Sequence, residues 1–229
     1  MIIKKILKIS IIYTLIIIYS VEILLNIFLN TKYDLDDLKN QRIANAKKKN
    51  LFIDKRSKFE VYQDFKLDYS DLKSHFSYSP IYRFHKNFKK ANLKNKLIPF
   101  RGPINSHSLY CSEDLTYKVI YNDKYGFKNS NEIYKKPIDI LLLGDSFAEG
   151  RCVSRENDIS GNLENKGLNV ANFGVSGTSS LVSLGVLKEF GDLLKPKNIF
   201  YFYYEGNDLE GLEWEKKQKT LIRYLEKDF

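Results

Sequence analysis

Long apolar runs alternate with polar stretches along the chain, and their lengths predict different elements. Residues 9–29, ISIIYTLIIIYSVEILLNIFL, are mainly apolar, and their number is what a helix needs to cross the hydrocarbon core of a bilayer. Glu22 is the one costly residue in that span. The tail 1–8 carries Lys4, Lys5 and Lys8 like the n-region of an export signal, yet no Ala-x-Ala-like site follows. The run therefore predicts an uncleaved transmembrane anchor. Residues 30–50 turn polar, with Leu35, Leu38 and Ile43 at near-helical spacing, and predict a stalk helix.

Residues 51–137 are mixed and rich in aromatic side chains, with turn signals at Ser79-Pro80, Arg101-Gly102-Pro103 and Tyr125-Gly126. Alternation at Tyr117, Val119 and Tyr121 predicts a strand. This stretch reads as an irregular, partly β lead-in that packs on a main domain and has no chemistry of its own.

The pattern changes at Ile138. Ile138 and Ile140 to Leu143 are apolar on both faces, as in a central parallel strand covered by helices on each side. Gly144 permits a sharp exit and delivers Ser146 to the start of a helix at the carboxyl edge. A second strand, Asn169 to Phe173, ends at the turn Gly174-Val175-Ser176-Gly177. Thr178 or Ser179 then caps a helix carrying Leu181, Leu184, Leu187, Phe190 and Leu194, which Pro196 ends. A third strand, Asn198 to Tyr204, leaves through Glu205-Gly206-Asn207-Asp208. Recurring strand, helix and strand with short links predict an α/β domain over 138–229 with a right-handed, doubly wound parallel sheet.

Composition adds limits. The 229 residues allow one ordinary domain with appendages. The net charge of +9 comes from scattered lysines, so it reads as solvated surface, and no nucleic-acid interface is expected. His75, His85 and His107 show no metal-ligand spacing, and Cys-x-x-Cys is absent, so neither a metal nor a cofactor is expected. Cys111 and Cys152 are the only cysteines. In an exported domain they are candidates for a disulfide, and two free thiols fit the sequence equally.

The carboxyl edge of an open α/β sheet is where ligands bind. Unpaired backbone N–H groups there stabilise an anion or a developing oxyanion. Two readings of Ser146 stay open from the pattern alone, a nucleophile and a plain helix cap. A phosphate cradle fits poorly, because Gly144 to Gly150 is neither Gly-x-Gly-x-x-Gly nor a P-loop. Ala148 also rules out the Gly-x-Ser-x-Gly elbow.

Three motifs together resemble the SGNH hydrolases, the GDSL-like lipase and esterase family. Gly144-Asp145-Ser146 is similar to the first block of that family, Asn172-Phe-Gly-Val-Ser-Gly177 to the second and Gly206-Asn207-Asp208 to the third. The span and the lead-in ending in Asp123-Lys-Tyr-Gly-Phe127 resemble a membrane-anchored bacterial subgroup. The resemblance implies a three-layer, flavodoxin-like sheet and an acyl-serine esterase. Ser146 would be the nucleophile. The N–H groups of Ser146 and Gly177 and the Asn207 amide would form the oxyanion hole. Esters of envelope glycans or lipids, acetyl esters among them, are the implied substrates, with water or a sugar hydroxyl as the acyl acceptor. The main domain would then lie on the periplasmic or extracellular side. The chain departs from the family in two places: Glu205 replaces the first glycine of the third block, and no Asp-x-x-His block follows. With Trp214 to Phe229 reading as an unfinished helix, the sequence is expected to be a fragment, incomplete at the C-terminus and lacking the base of the serine. The alternative is a pseudoenzyme that keeps the pocket to bind an acylated glycan.

Overall fold

The structure is a computed structural model that describes residues 2–29, 35–50, 52–74, 100–110 and 116–226; for 2–7, 26–29 and 35–39 it describes the backbone alone. The chain divides into two compact units, Met1–Leu51 and Phe52–Phe229.

The first unit holds α1 (Ile2–Leu29) and α2 (Leu35–Lys48). The first helix includes the lysine-bearing tail, because nothing in Ile2 to Lys8 breaks a helix. The 18 residues Lys8–Leu25 make it long and apolar enough to cross a membrane, and its side chains from Ile9 to Leu25 are exposed.

In the second unit α3 (Lys58–Asp68) starts at a capping box between Ser57 and Glu60. A small mixed sheet follows: β1 (Lys73–Ser74) runs parallel to β2 (Ser106–Leu109), and β2 is antiparallel to β3 (Val119–Asn122). The alternation at Tyr117 to Tyr121 thus yields a strand, displaced by two residues from its first aromatic.

The second sheet is wholly parallel. Its strands are β4 (Ile140–Gly144), β5 (Val170–Asn172) and β6 (Asn198–Phe202), in the order β5-β4-β6. The helices are α4 (Ser146–Glu149), α5 (Ile159–Glu164), α6 (Ser180–Leu194), α7 (Asp208–Glu215) and α8 (Lys219–Ile222). Alternate residues of β4 belong to different cores. Leu141 and Leu143 pack with Ala171, Phe173 and the α6 residues Leu181, Val182 and Val186. Ile140 and Leu142 pack with Val170 and the α5 residues Ile159 and Leu163. Helices therefore cover β4 on both faces, which is why its run is apolar without alternation.

Two elements differ from expectation. Strand β6 carries the composition of an interior strand, but Ile199, Phe200 and Tyr201 are 48%, 45% and 43% exposed. Among the described residues no strand pairs with its outer edge. The segment after Trp214 is not one helix: α7 ends at Glu215, and α8 and a 3-10 turn, Arg223–Leu225, follow. Leu221 and Tyr224 fold back into the core beside α6 instead of extending.

Candidate active site

The site is built where β4, β5 and β6 end. At the end of β4, Gly144 adopts φ 141°, and a Cβ there would stand 2.6 Å from the Phe202 carbonyl oxygen and 2.9 Å from the Ala148 Cβ. Only glycine lets the chain turn this sharply between β6 and α4. The cap of α4 is Asp145, whose carboxylate accepts the Phe147 N–H at 2.9 Å. Ser146 is thus the first helical residue and does not cap. Its side chain is half-buried, and among the described residues neither its hydroxyl nor its N–H is engaged in a hydrogen bond. Helix α4 has only four residues, so it supplies unengaged N–H groups and not an extended macrodipole.

The turn after β5 lies flush against this helix. Val175 N–H donates to the Gly144 carbonyl at 2.9 Å. A Cβ on Gly174 would stand 2.4 Å from Glu149 N and 2.8 Å from the Ala148 carbonyl carbon. Both obstacles are backbone, so Gly174→Ala is expected to cost at least about 1–3 kcal/mol by overpacking, measured as a lowered thermal midpoint. Gly177 has φ 76°, a left-handed conformation that other residues adopt with strain. Its N–H has no acceptor among the described residues.

The third strand end contributes Asn207. It occupies the N-cap position of α7, yet its side chain makes no capping bond, and it is exposed. Asp208 holds the turn in its place, accepting the Tyr204 N–H at 2.8 Å. Strand order sets the spatial order of these ends. Ser146 leaves the central strand, between Gly177 after β5 and Asn207 after β6. The chain runs from β4 to β5 on one side and then crosses β4 to reach β6 on the other, so Ser146 and Asn207 flank the switch point where such sheets bind ligands. Phe147 and Tyr204, 56% and 42% exposed, form a tilted ring pair 4.4 Å apart at the same edge.

The lead-in reaches this edge with buried polar groups that its sequence did not announce. Asp123 closes its own turn by accepting the N–H groups of Tyr125 and Phe127 at 2.8 and 2.9 Å. Asn129 then exchanges bonds with the Asn172 backbone at 2.9 and 3.0 Å. The Asn172 side chain reaches the Ala148 carbonyl at 2.8 Å and accepts the Gly174 N–H at 3.0 Å. Lys128 is buried beside Asp158 at 2.9 Å and donates to the carbonyls of Gly150 and Val153 at 2.8 and 2.6 Å. Burial pushes its ammonium pKa down, and Asp158 offsets part of that shift. Arg101 forms a buried ion pair with Glu149.

Acidic groups line the α7 side. Glu215, 8% exposed, accepts the N–H groups of Ser179, Leu181 and Val182 at 2.5, 2.9 and 3.3 Å. It supplies the cap of α6 that Thr178 or Ser179 was expected to make, since the N-cap Ser179 makes no side-chain capping bond. Burial pushes the Glu215 carboxyl up to about 6, although those N–H groups favour its charge. Burial also pushes Asp208 up, and the nearby Asp145 charge acts in the same direction. A carboxyl raised in the folded state stabilises below its ordinary pKa, and that stability is lost as pH rises through the folded value. The thermal midpoint is therefore expected to fall between about pH 4.5 and 6. Glu215 accounts for about 2 kcal/mol at most, and Glu215→Gln is expected to flatten the slope.

No family model, curated protein or solved structure matches the chain. No group of three or more metal-ligating side chains occurs among the described residues. Of the histidines, His107 pairs through Nδ1 with Asp71 at 2.9 Å and packs against Tyr69 and Tyr121. No hydrogen bond joins it to Ser146. His75 and His85 lie outside the described residues. Cys152 is disulfide-bonded, and Cys111 lies outside the described residues.

Proposed function

We propose that this chain is a membrane-anchored serine esterase domain of the SGNH type, in which Ser146 takes an acyl group from a carboxylic ester. The observation that carries the reading is the set of unengaged groups at adjacent strand ends. The Ser146 hydroxyl, the N–H groups of Ser146 and Gly177 and the Asn207 amide have no partner among the described residues. Donors held free in this way stabilise negative charge as it develops on a carbonyl oxygen. The Phe147 and Tyr204 rings offer an apolar wall for the acyl group. With α1 as a single anchor in the cytoplasmic membrane, the domain would face the periplasm or exterior. Acetyl or other acyl esters of envelope glycans or lipids are the substrates to test first.

In the reaction the Ser146 oxygen would attack the ester carbonyl while a base, a role that His107 paired with Asp71 does not fill, accepts its proton. The oxyanion would sit against the three donors, the base would return the proton to the leaving oxygen as the C–O bond breaks, and the alcohol would depart to leave an acyl-serine. Water then regenerates the serine in a hydrolase, or a sugar hydroxyl does so in a transferase.

One observation favours a second reading: no histidine among the described residues is hydrogen-bonded to Ser146. A non-catalytic envelope protein would use the same pocket to bind an acylated glycan. Labelling of the full chain by a fluorophosphonate separates the two, because the reagent needs an activated serine. Labelling that maps to Ser146 and disappears in Ser146→Ala supports the esterase. An unlabelled chain that binds an acetylated oligosaccharide equally well as Ser146→Ala supports the binding protein.

A further inference from the structure

Glu149 stands one turn beyond Ser146, at the last position of α4, and is fully buried. Its two carboxylate oxygens face different parts of the domain. Oε1 receives the Arg101 guanidinium, which also bonds the Tyr110 hydroxyl at 2.6 Å. Oε2 accepts the Ser176 N–H at 2.9 Å and the Ser176 hydroxyl. Ser176 immediately precedes Gly177, and on the far side of the turn the Thr178 hydroxyl donates to the Val175 carbonyl at 2.6 Å.

We propose that Arg101 and Glu149 form a buried clamp that locks the Gly174–Gly177 turn to the Ser146 helix and so aims the Gly177 N–H. This inference rests on the reading of Ser146 and Gly177 given above. Glu149 is a positioning residue, because its side chain is fully buried and both its oxygens are engaged by protein groups.

Three features support positioning over mere cohesion. A buried ion pair is often no more stabilising than an apolar pair of the same volume, so stability alone does not call for charge here. The carboxylate bonds both the N–H and the hydroxyl of Ser176, which fixes the residue whose carbonyl carbon bears the Gly177 nitrogen. The turn also has no clearance from α4, since a Cβ at Gly174 would strike the Glu149 backbone nitrogen. Among the described residues Gly177 has no hydrogen bond to hold its N–H in place, so its direction depends on Ser176.

The test uses the full chain in detergent micelles, labelled with nitrogen-15 glycine, of which it has 12. Two variants are compared with it, Glu149→Gln and the apolar double replacement Arg101→Met with Glu149→Leu. In both, the Gly177 amide order parameter is expected to fall from about 0.85 to below about 0.6, while Gly191 in α6 keeps its value. The rate of Ser146 phosphonylation at saturating fluorophosphonate is expected to fall about 100-fold, with the half-saturating concentration within about threefold. If the double variant fails to fold, Glu149→Gln decides alone. An unlabelled wild type refutes the nucleophile and leaves the clamp to the Gly177 signal, which supports it by loosening. A Gly177 amide as ordered in the variants as in the wild type overturns the clamp, whatever happens to the melting temperature.

Discussion

Arg101→Ala is expected to destabilise the second unit by about 3–5 kcal/mol, because it leaves the Glu149 carboxylate buried with no cation. Arg101 and Glu149 side chains are only 4% and 0% exposed, so water cannot replace the lost partner. For a unit of this size that corresponds to a fall of on the order of 10 °C in the thermal midpoint. The expectation separates sharply from that for a surface pair. Lys135 with Glu132, each 70% exposed, should change stability by no more than about 1 kcal/mol when broken. Thermal melting of Arg101→Ala beside Lys135→Ala measures the contrast. Equal, small shifts would mean that the Arg101 site is hydrated in solution.

Asn207→Ala is expected to raise the barrier to acyl transfer by about 3 kcal/mol, roughly a hundredfold or more in rate, by removing one oxyanion donor. Stability should not follow. An Asn that caps a helix costs about 1 kcal/mol when replaced by Ala, but Asn207 makes no capping bond and is exposed. The expected signature is a slowed turnover of a chromogenic acetyl ester with an unchanged melting temperature. A lowered melting temperature with unchanged turnover would make Asn207 an ordinary turn residue.

The strand ends were legible because they depend on local pattern. An apolar run with no alternation, stopped by glycine, describes β4 and Gly144 completely, and the same logic located β5, β6 and the turns that follow them. The cap of α4 differs from the capping reading of Ser146, because Asp145, an equally good cap, takes that place. The choice depended on which side chain reaches the Phe147 N–H. The Glu215 cap of α6 was hidden for a different reason: it comes from 36 residues downstream of Ser179. Arg101 lies in a turn signal and Glu149, 48 residues away, belongs to no motif. Only tertiary packing makes them a pair. The lead-in carries no legible chemistry because Arg101, Lys128 and Asn129 act through bonds to α4, the loop after it and the end of β5, and no motif marks such contacts. The exposure of β6 contradicts its composition. Its Ile, Phe and Tyr side chains predict burial between neighbours, yet only the β4 side is occupied among the described residues.

A crystal structure of the fluorophosphonate adduct shows whether Ser146, Gly177 and Asn207 act on one oxyanion. Phosphorus is expected to be bonded to the Ser146 oxygen. One phosphoryl oxygen should lie about 2.7–3.1 Å from the Ser146 nitrogen, the Gly177 nitrogen and the Asn207 amide nitrogen. An adduct whose phosphoryl oxygen faces solvent, with Gly177 and Asn207 beyond about 3.5 Å, would contradict it.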